Sequence, residues 1–107
     1  MDIVLVYITT EDRKQAEIIG RSLLEKRLAA CVNIVDNLHS MYWWEGHIQS
    51  SQEVLLLAKT MKSKFIELCA ETRRLHSYQT PCIVALSIVD GHDDFLNWIS
   101  QEVLSDS

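Results

Sequence analysis

The sequence predicts an α+β fold, a ferredoxin-like βαββαβ sandwich with an extra C-terminal helix. Three observations predict it. Four extended apolar runs and two amphipathic helical runs follow in the order β-α-β-β-α-β. The two central extended runs are joined by Glu45-Gly46, a two-residue connection in which Gly supplies a positive φ. Right-handed crossovers then set both helices on one face of an antiparallel sheet.

Composition bounds the answer. The chain has 107 residues, 48% of them hydrophobic and 23% charged, as expected for one globular domain spanning residues 1–107. A net charge of −5 argues against nucleic acid or an anionic membrane as partner, since both demand a basic face. The three Cys are odd in number and form no C-x-x-C. With the chain opening on a strand and no signal peptide in view, free thiols in a reducing, cytoplasmic setting are expected. No apolar run is long enough to span a bilayer.

The elements follow in order. Asp2 to Ile8 is almost unbroken apolar sequence and reads as a central strand buried on both faces. Thr9 with Asp12 three residues on fits a capping box for a helix from Glu11 to Arg27. Its inner stripe is Ala16, Ile19, Leu23 and Arg27, with Leu24 and Leu28 beside it. Ala29 to Val35 is extended, Asp36-Asn37 reads as a bulge, and Leu38 to Trp44 resumes the strand. A register symmetric about Glu45-Gly46 places Trp44 opposite His47, Trp43 opposite Ile48 and Tyr42 opposite Gln49. The returning strand runs to Thr60, polar at Gln49 to Gln52 and apolar at Val54 to Ala58.

Met61 to Leu75 is helical, with Phe65, Leu68, Cys69, Thr72 and Leu75 inward and Lys62, Lys64, Glu67, Glu71 and Arg73 outward. His76 to Pro81 is a loop, Cys82 to Val89 a fourth strand, and Asp90-Gly91 a turn. Asp93 and Asp94 open a last helix with Phe95, Trp98, Ile99 and Val103 on one side, and Ser105 to Ser107 should fray. The hairpin, roughly thirteen residues a side, far exceeds the usual strand of about five or six. One small domain cannot cover both faces of that arm, nor the sheet face left bare by the helices. Both points lead to a homo-oligomer.

Few residues point to chemistry. Trp43, Trp44 and Glu45 make either an aromatic-walled ligand cleft with an acidic mouth or an anchor on a neighbouring subunit. His76, Tyr78 and Cys82 lie within seven residues. Imidazole and thiolate suit copper or zinc, while the plainer reading is a helix-terminal His by a Pro turn with Cys82 packed as a small hydrophobe. Lys59 is a holder of an anionic ligand, a solvated strand end or a partner for Glu53. His39, His47 and His92 read as surface residues. The sequence contains no phosphate-binding glycine motif, nucleophile elbow or H-E-x-x-H, and no acid–base pair with a nucleophile, so no enzyme is expected. The RNA-recognition topology is similar, but the third strand lacks stacking aromatics and the charge is negative.

Several blocks resemble the CutA family of divalent-cation tolerance proteins. They are Leu28-Ala29-Ala30-Cys31-Val32-Asn33, Ser40-Met41-Tyr42-Trp43-Trp44-Glu45-Gly46, Glu53, Lys59-Thr60, His76-x-Tyr78-x-x-Pro81 and Phe95-Leu96-x-Trp98-Ile99. The resemblance covers nearly the whole chain. It implies a ferredoxin-like homotrimer that binds divalent metals, copper above all, in tolerance and homeostasis. It also suggests a likeness to trimeric PII signalling proteins, which bind small ligands between subunits. On that likeness the chain would be a sensor of a small anionic molecule, or a scaffold, with no physiological metal. By the resemblance, His76 is a metal ligand, and Trp44, Glu45, Lys59 and Tyr78 line an inter-subunit cleft. The chain departs from the family in having Ser77 between His76 and Tyr78 and Cys82 after Pro81. Ile8 and Leu75 stand where some bacterial members carry proposed copper ligands. Cys82 is then a substitute ligand. No cofactor beyond copper or another divalent cation is implied.

Overall fold

A computed structural model describes residues 2–104, so the expected fraying of Ser105 to Ser107 lies outside them. Four strands, β1 (Ile3–Thr10), β2 (Cys31–Trp44), β3 (His47–Met61) and β4 (Ile83–Ser87), form one antiparallel sheet in the order β2-β3-β1-β4. Helices α1 (Arg13–Glu25) and α2 (Phe65–Leu75) are the crossovers, and α3 (Asp93–Leu104) ends the chain. This is the expected ferredoxin-like arrangement.

Period-two patterning builds the core. Val4, Val6, Ile8 and Thr10 of β1 pair with Thr60, Ala58, Leu56 and Val54 of β3, and all eight are buried. The apolar members pack against Ala16, Ile19 and Leu23 of α1 and Leu68 of α2. Gly20 of α1 is buried rather than the expected Leu24, because α1 lies close on β2: a Cβ at Gly20 would sit 3.2 Å from Val32 Cγ2. The reverse face differs from the expectation for β1. Leu5, Tyr7, Leu55 and Leu57 are only half-buried, and Val35, Val84 and Leu86 are exposed. Both crossovers run over one side, so only α3 is left to cover the other. It covers one end, where Ile3, Ile99 and Val103 are buried apart from the main core.

Helix ends are set by local chemistry. β1 runs on through Thr10, whose Oγ1 donates to the Val54 carbonyl, so the α1 cap moves from the expected Thr9 to Asp12. Asp12 Oδ1 accepts the Gln15 N–H at 2.9 Å. Arg27, expected inside the helix, lies beyond it with φ 57°. Leu28 N–H donates to Leu23 O and Arg27 N–H to Leu24 O, a Schellman closure without glycine. The Arg27 guanidinium meets Glu102 at 3.1 Å, which ties this corner to α3.

The second helix begins later than expected. A single 3-10 turn, Lys62–Lys64, separates β3 from α2. β4 is also shorter than the expected Cys82 to Val89. It is an edge strand paired only with β1, and Val89 beyond it is 94% exposed.

The hairpin agrees closely with expectation. Trp44 faces His47, Trp43 faces Ile48 and Tyr42 faces Gln49. Glu45 (φ 51°) and Gly46 (φ 83°) both take the left-handed region, as a type I′ turn requires. The register shifts between Val35 and Leu38, with Asn37 at φ 64°. Residues 41–50 are all exposed, and the arm gives the molecule its long dimension of 44 Å.

One expected surface residue is buried. Glu71 is 8% exposed between α1 and α2. It accepts from Ser22 and from Arg74 at two oxygens, and Lys26 Nζ lies 3.1 Å away. The Arg74 guanidinium first, then Ser22 and Lys26, hold its carboxyl well below the usual carboxylate range. A depressed native pKa contributes its full stabilisation above the unfolded value of about 4.3, and that contribution is lost progressively as pH falls from there through the native pKa. The urea midpoint should therefore drop as pH is lowered from about 5 towards 3. Glu71→Gln should be less stable than wild type at pH 7 and show a flatter acid dependence. Identical acid slopes for the two proteins would refute this.

Candidate functional site

The site forms where the arm leaves the domain. Three segments meet there: the end of β1 at Thr9, the start of the buried part of β3 at Glu53, and the loop between α2 and β4. α2 stops at Leu75 because His76 turns extended (φ −78°, ψ 142°). The His76 ring then latches the loop. Its Nε2 lies 2.8 Å from the Thr9 carbonyl, so Nε2 carries the proton and donates. Its Nδ1 accepts the Tyr78 N–H at 3.1 Å. Both ring nitrogens are therefore engaged within the chain. The His76 and Tyr78 rings also pack with centroids 4.7 Å apart.

The latch aims Tyr78 at β3. Tyr78 Oη donates to Glu53 Oε2 at 2.7 Å, and Glu53 is 8% exposed. Burial, and then the Glu53 carboxylate, push the Tyr78 phenol well above its ordinary value, so it stays a donor. Burial and Glu53 likewise raise the Cys82 thiol, against a smaller opposing effect of the Thr9 backbone.

These segments and the arm border an open cleft of about 640 Å³. Thr9, Tyr42, Trp44, Glu53, Tyr78 and Cys82 line it, and Trp43 touches it. The bulge at Asp36-Asn37 matters here. Beyond it, Leu38 pairs with Glu53 and Ser40 with Ser51, so Tyr42 and Trp44 share the face of Glu53. Among the described residues, Glu53 is the only carboxylate lining the cleft, and no Lys, Arg or His lines it.

The structure thus brings together Trp44, Tyr78 and Cys82 of the expected residues. It sets His76 beside them as the latch. Lys59 and Glu45 lie elsewhere in the chain. Lys59 Nζ is 2.8 Å from Asn33 Oδ1 and 4.0 Å from Cys31 Sγ, with the Phe95 ring 5.5 Å away. Its partner is Asn33, not Glu53, because six residues of extended β3 separate them by about 20 Å. Glu45 is exposed at the apex of the arm. His39, His47 and His92 are exposed, as expected. Glu53 was the residue whose role sequence reasoning missed. Its signal was a lone carboxylate at the point where β3 turns from polar to apolar. Among the described residues no group of three or more His, Cys, Asp or Glu is placed to hold a metal ion, and no helix is long and apolar enough to cross a membrane.

The CutA1 divalent ion tolerance protein family model matches residues 4–102. The divalent-cation tolerance protein CutA of Archaeoglobus fulgidus is 46% identical over 92% of this chain and 95% of its own. That of Thermus thermophilus is 43% identical over 91% of this chain and 94% of its own. The solved structure described as the periplasmic divalent cation tolerance protein CutA from Archaeoglobus fulgidus superposes with a TM-score of 0.92 at 44% identity, covering 94% of this chain and 98% of that one.

Because Glu53 is buried and Tyr78 is its donor, Tyr78→Phe should leave a carboxylate oxygen unpaired. We expect a loss of about 1–3 kcal/mol in urea unfolding. An unchanged midpoint would show that water replaces the phenol without cost.

Proposed function

We propose, from the premise that this chain belongs to the CutA1 divalent ion tolerance family, that it is a cytoplasmic homotrimer binding a divalent cation, copper foremost, in metal tolerance. The observation that supports this most is the charge of the cleft: a buried carboxylate, Glu53, and a thiol, Cys82, with no Lys, Arg or His in its lining. Such a lining favours cations and disfavours anions. Thiol sulfur suits copper, and a metal entering displaces the thiol proton.

Two donors from one subunit do not complete a site. The remaining donors come from a neighbour, whose exposed arm carries Glu45 and His47 at its apex. His76 acts by holding the loop, and becomes a ligand only when it releases Thr9 or Tyr78. The trimer reading is supported by the exposed Met41, Trp43 and Ile48 of the arm and by the exposed Val84 and Leu86 of the open face. The three unpaired thiols suit a reducing compartment. A second reading, a small-ligand sensor or scaffold without a metal, is favoured by the aromatic lining and by the lack of a three-donor group among the described residues.

Calorimetry with Cu(II) and Zn(II) separates the two readings. Wild type should bind copper, and Cys82→Ser should weaken it at least about tenfold, or ~1.4 kcal/mol. Negligible heat with both metals in wild type, His76→Ala and Cys82→Ser would leave only the second reading. For assembly, light scattering at micromolar concentration should give three times the chain mass, and a monomeric mass would overturn the trimer.

A further inference from the structure

We propose that the cleft at the base of the arm is a binding site for a small organic cation, an alkylammonium group, rather than for an anionic ligand. This rests on the reading that the cleft faces cations, and names a ligand class for it beyond metal ions. Three features meet at one place. The first is size. About 640 Å³ is far more than a bare ion fills and falls within the range of small-molecule pockets, about 300–1,000 Å³. The second is the wall. Tyr42 and Trp44 from the arm and Tyr78 from the loop present aromatic rings, whose faces attract cations most strongly when water is excluded. The third is the charge. Glu53 is buried, and Tyr78 takes its Oε2, leaving Oε1 as the acceptor for an ammonium N–H. No Lys, Arg or His lines the cleft to hold a phosphate or carboxylate, so a nucleotide would meet the wrong sign of charge. The arrangement is held before any ligand arrives, because His76 fixes Tyr78 and the β2–β3 register fixes Tyr42 and Trp44.

Three probes of equal length test this: butylammonium, butan-1-ol and butyrate. The readout is the indole N–H signal of Trp44 in NMR of the assembled protein, assigned by its loss in Trp44→Ala. Butylammonium should shift it and bind at least about threefold more tightly than butan-1-ol, as a cation beside partly exposed aromatic rings and a carboxylate implies. Butyrate should not compete. Glu53→Gln should remove the preference for the ammonium over the alcohol. If Glu53→Gln does not fold, Trp44→Ala on the exposed arm carries the test, with butylammonium binding followed by calorimetry and weakened about threefold or more. Equal binding of the three probes, or tighter binding of butyrate, would overturn the proposal. A Cu(II) titration on the same sample distinguishes the failures. Copper binding without ammonium binding removes this inference alone, and absence of both removes the cation-facing reading beneath it.

Discussion

Everything in this molecule hangs on β3. It is the only strand that pairs along its length with β2 while its second half also pairs with β1. Its sequence changes character midway. Residues 54–60 alternate buried and half-buried, whereas residues 47–50 are exposed on both faces. The inner half is held by burial of Val54, Leu56 and Ala58 beneath α1 and α2. The outer half is held only by its ladder to β2 and by the turn at Glu45-Gly46. A two-stranded ribbon of that kind is marginal in water by itself. Its order comes from the rigid base and from the tight turn at its end.

Glu53 stands at the junction of those two halves. A carboxylate at the edge of a core is costly unless it is bonded, and Tyr78 supplies the bond. Tyr78 is in turn placed by His76, and His76 by the end of β1. The loop after α2, which has no regular structure, is thus tied to two strands by one hydrogen bond each, and a third bond inside the loop joins the two ties. That tie makes one wall of the cleft rigid, while the opposite wall belongs to the arm.

What could be read in advance follows from how local the cause was. The hairpin register was legible because Glu45-Gly46 admits one tight turn and Asp36-Asn37 tolerates a bulge. The core face of α1 was legible from three- and four-residue spacing, whereas the unbroken apolar run of β1 gave no sign of which face would be left half-buried. The burial of Glu71 was not. It depends on Ser22 and Lys26, some 45 to 49 residues away in the chain, which only helix packing brings near. The α1 cap was missed because Thr10 bonds across the sheet to Val54. Within one chain, Lys59 is kept from Glu53 by the length of an extended strand. The pairing of Glu53 with Tyr78 could not be read either, since nothing in a single sequence says which side of a sheet a loop will cross.

The bulge at Asp36-Asn37 sets a rule of arithmetic for change in this chain. Before it, odd-numbered residues of β2 share a face with odd-numbered residues of β3. After it, even-numbered ones do. Deleting one bulge residue would leave a regular ladder with Leu38 still opposite Glu53, and Tyr42 and Trp44 would keep the face of Glu53. Inserting one cross-strand pair between Ser40 and Tyr42 would instead turn Tyr42 and Trp44 to the other face, and a second pair would bring them back. The number of pairs in the arm is therefore a constraint on insertions and deletions, and it acts without any substitution in the cleft itself.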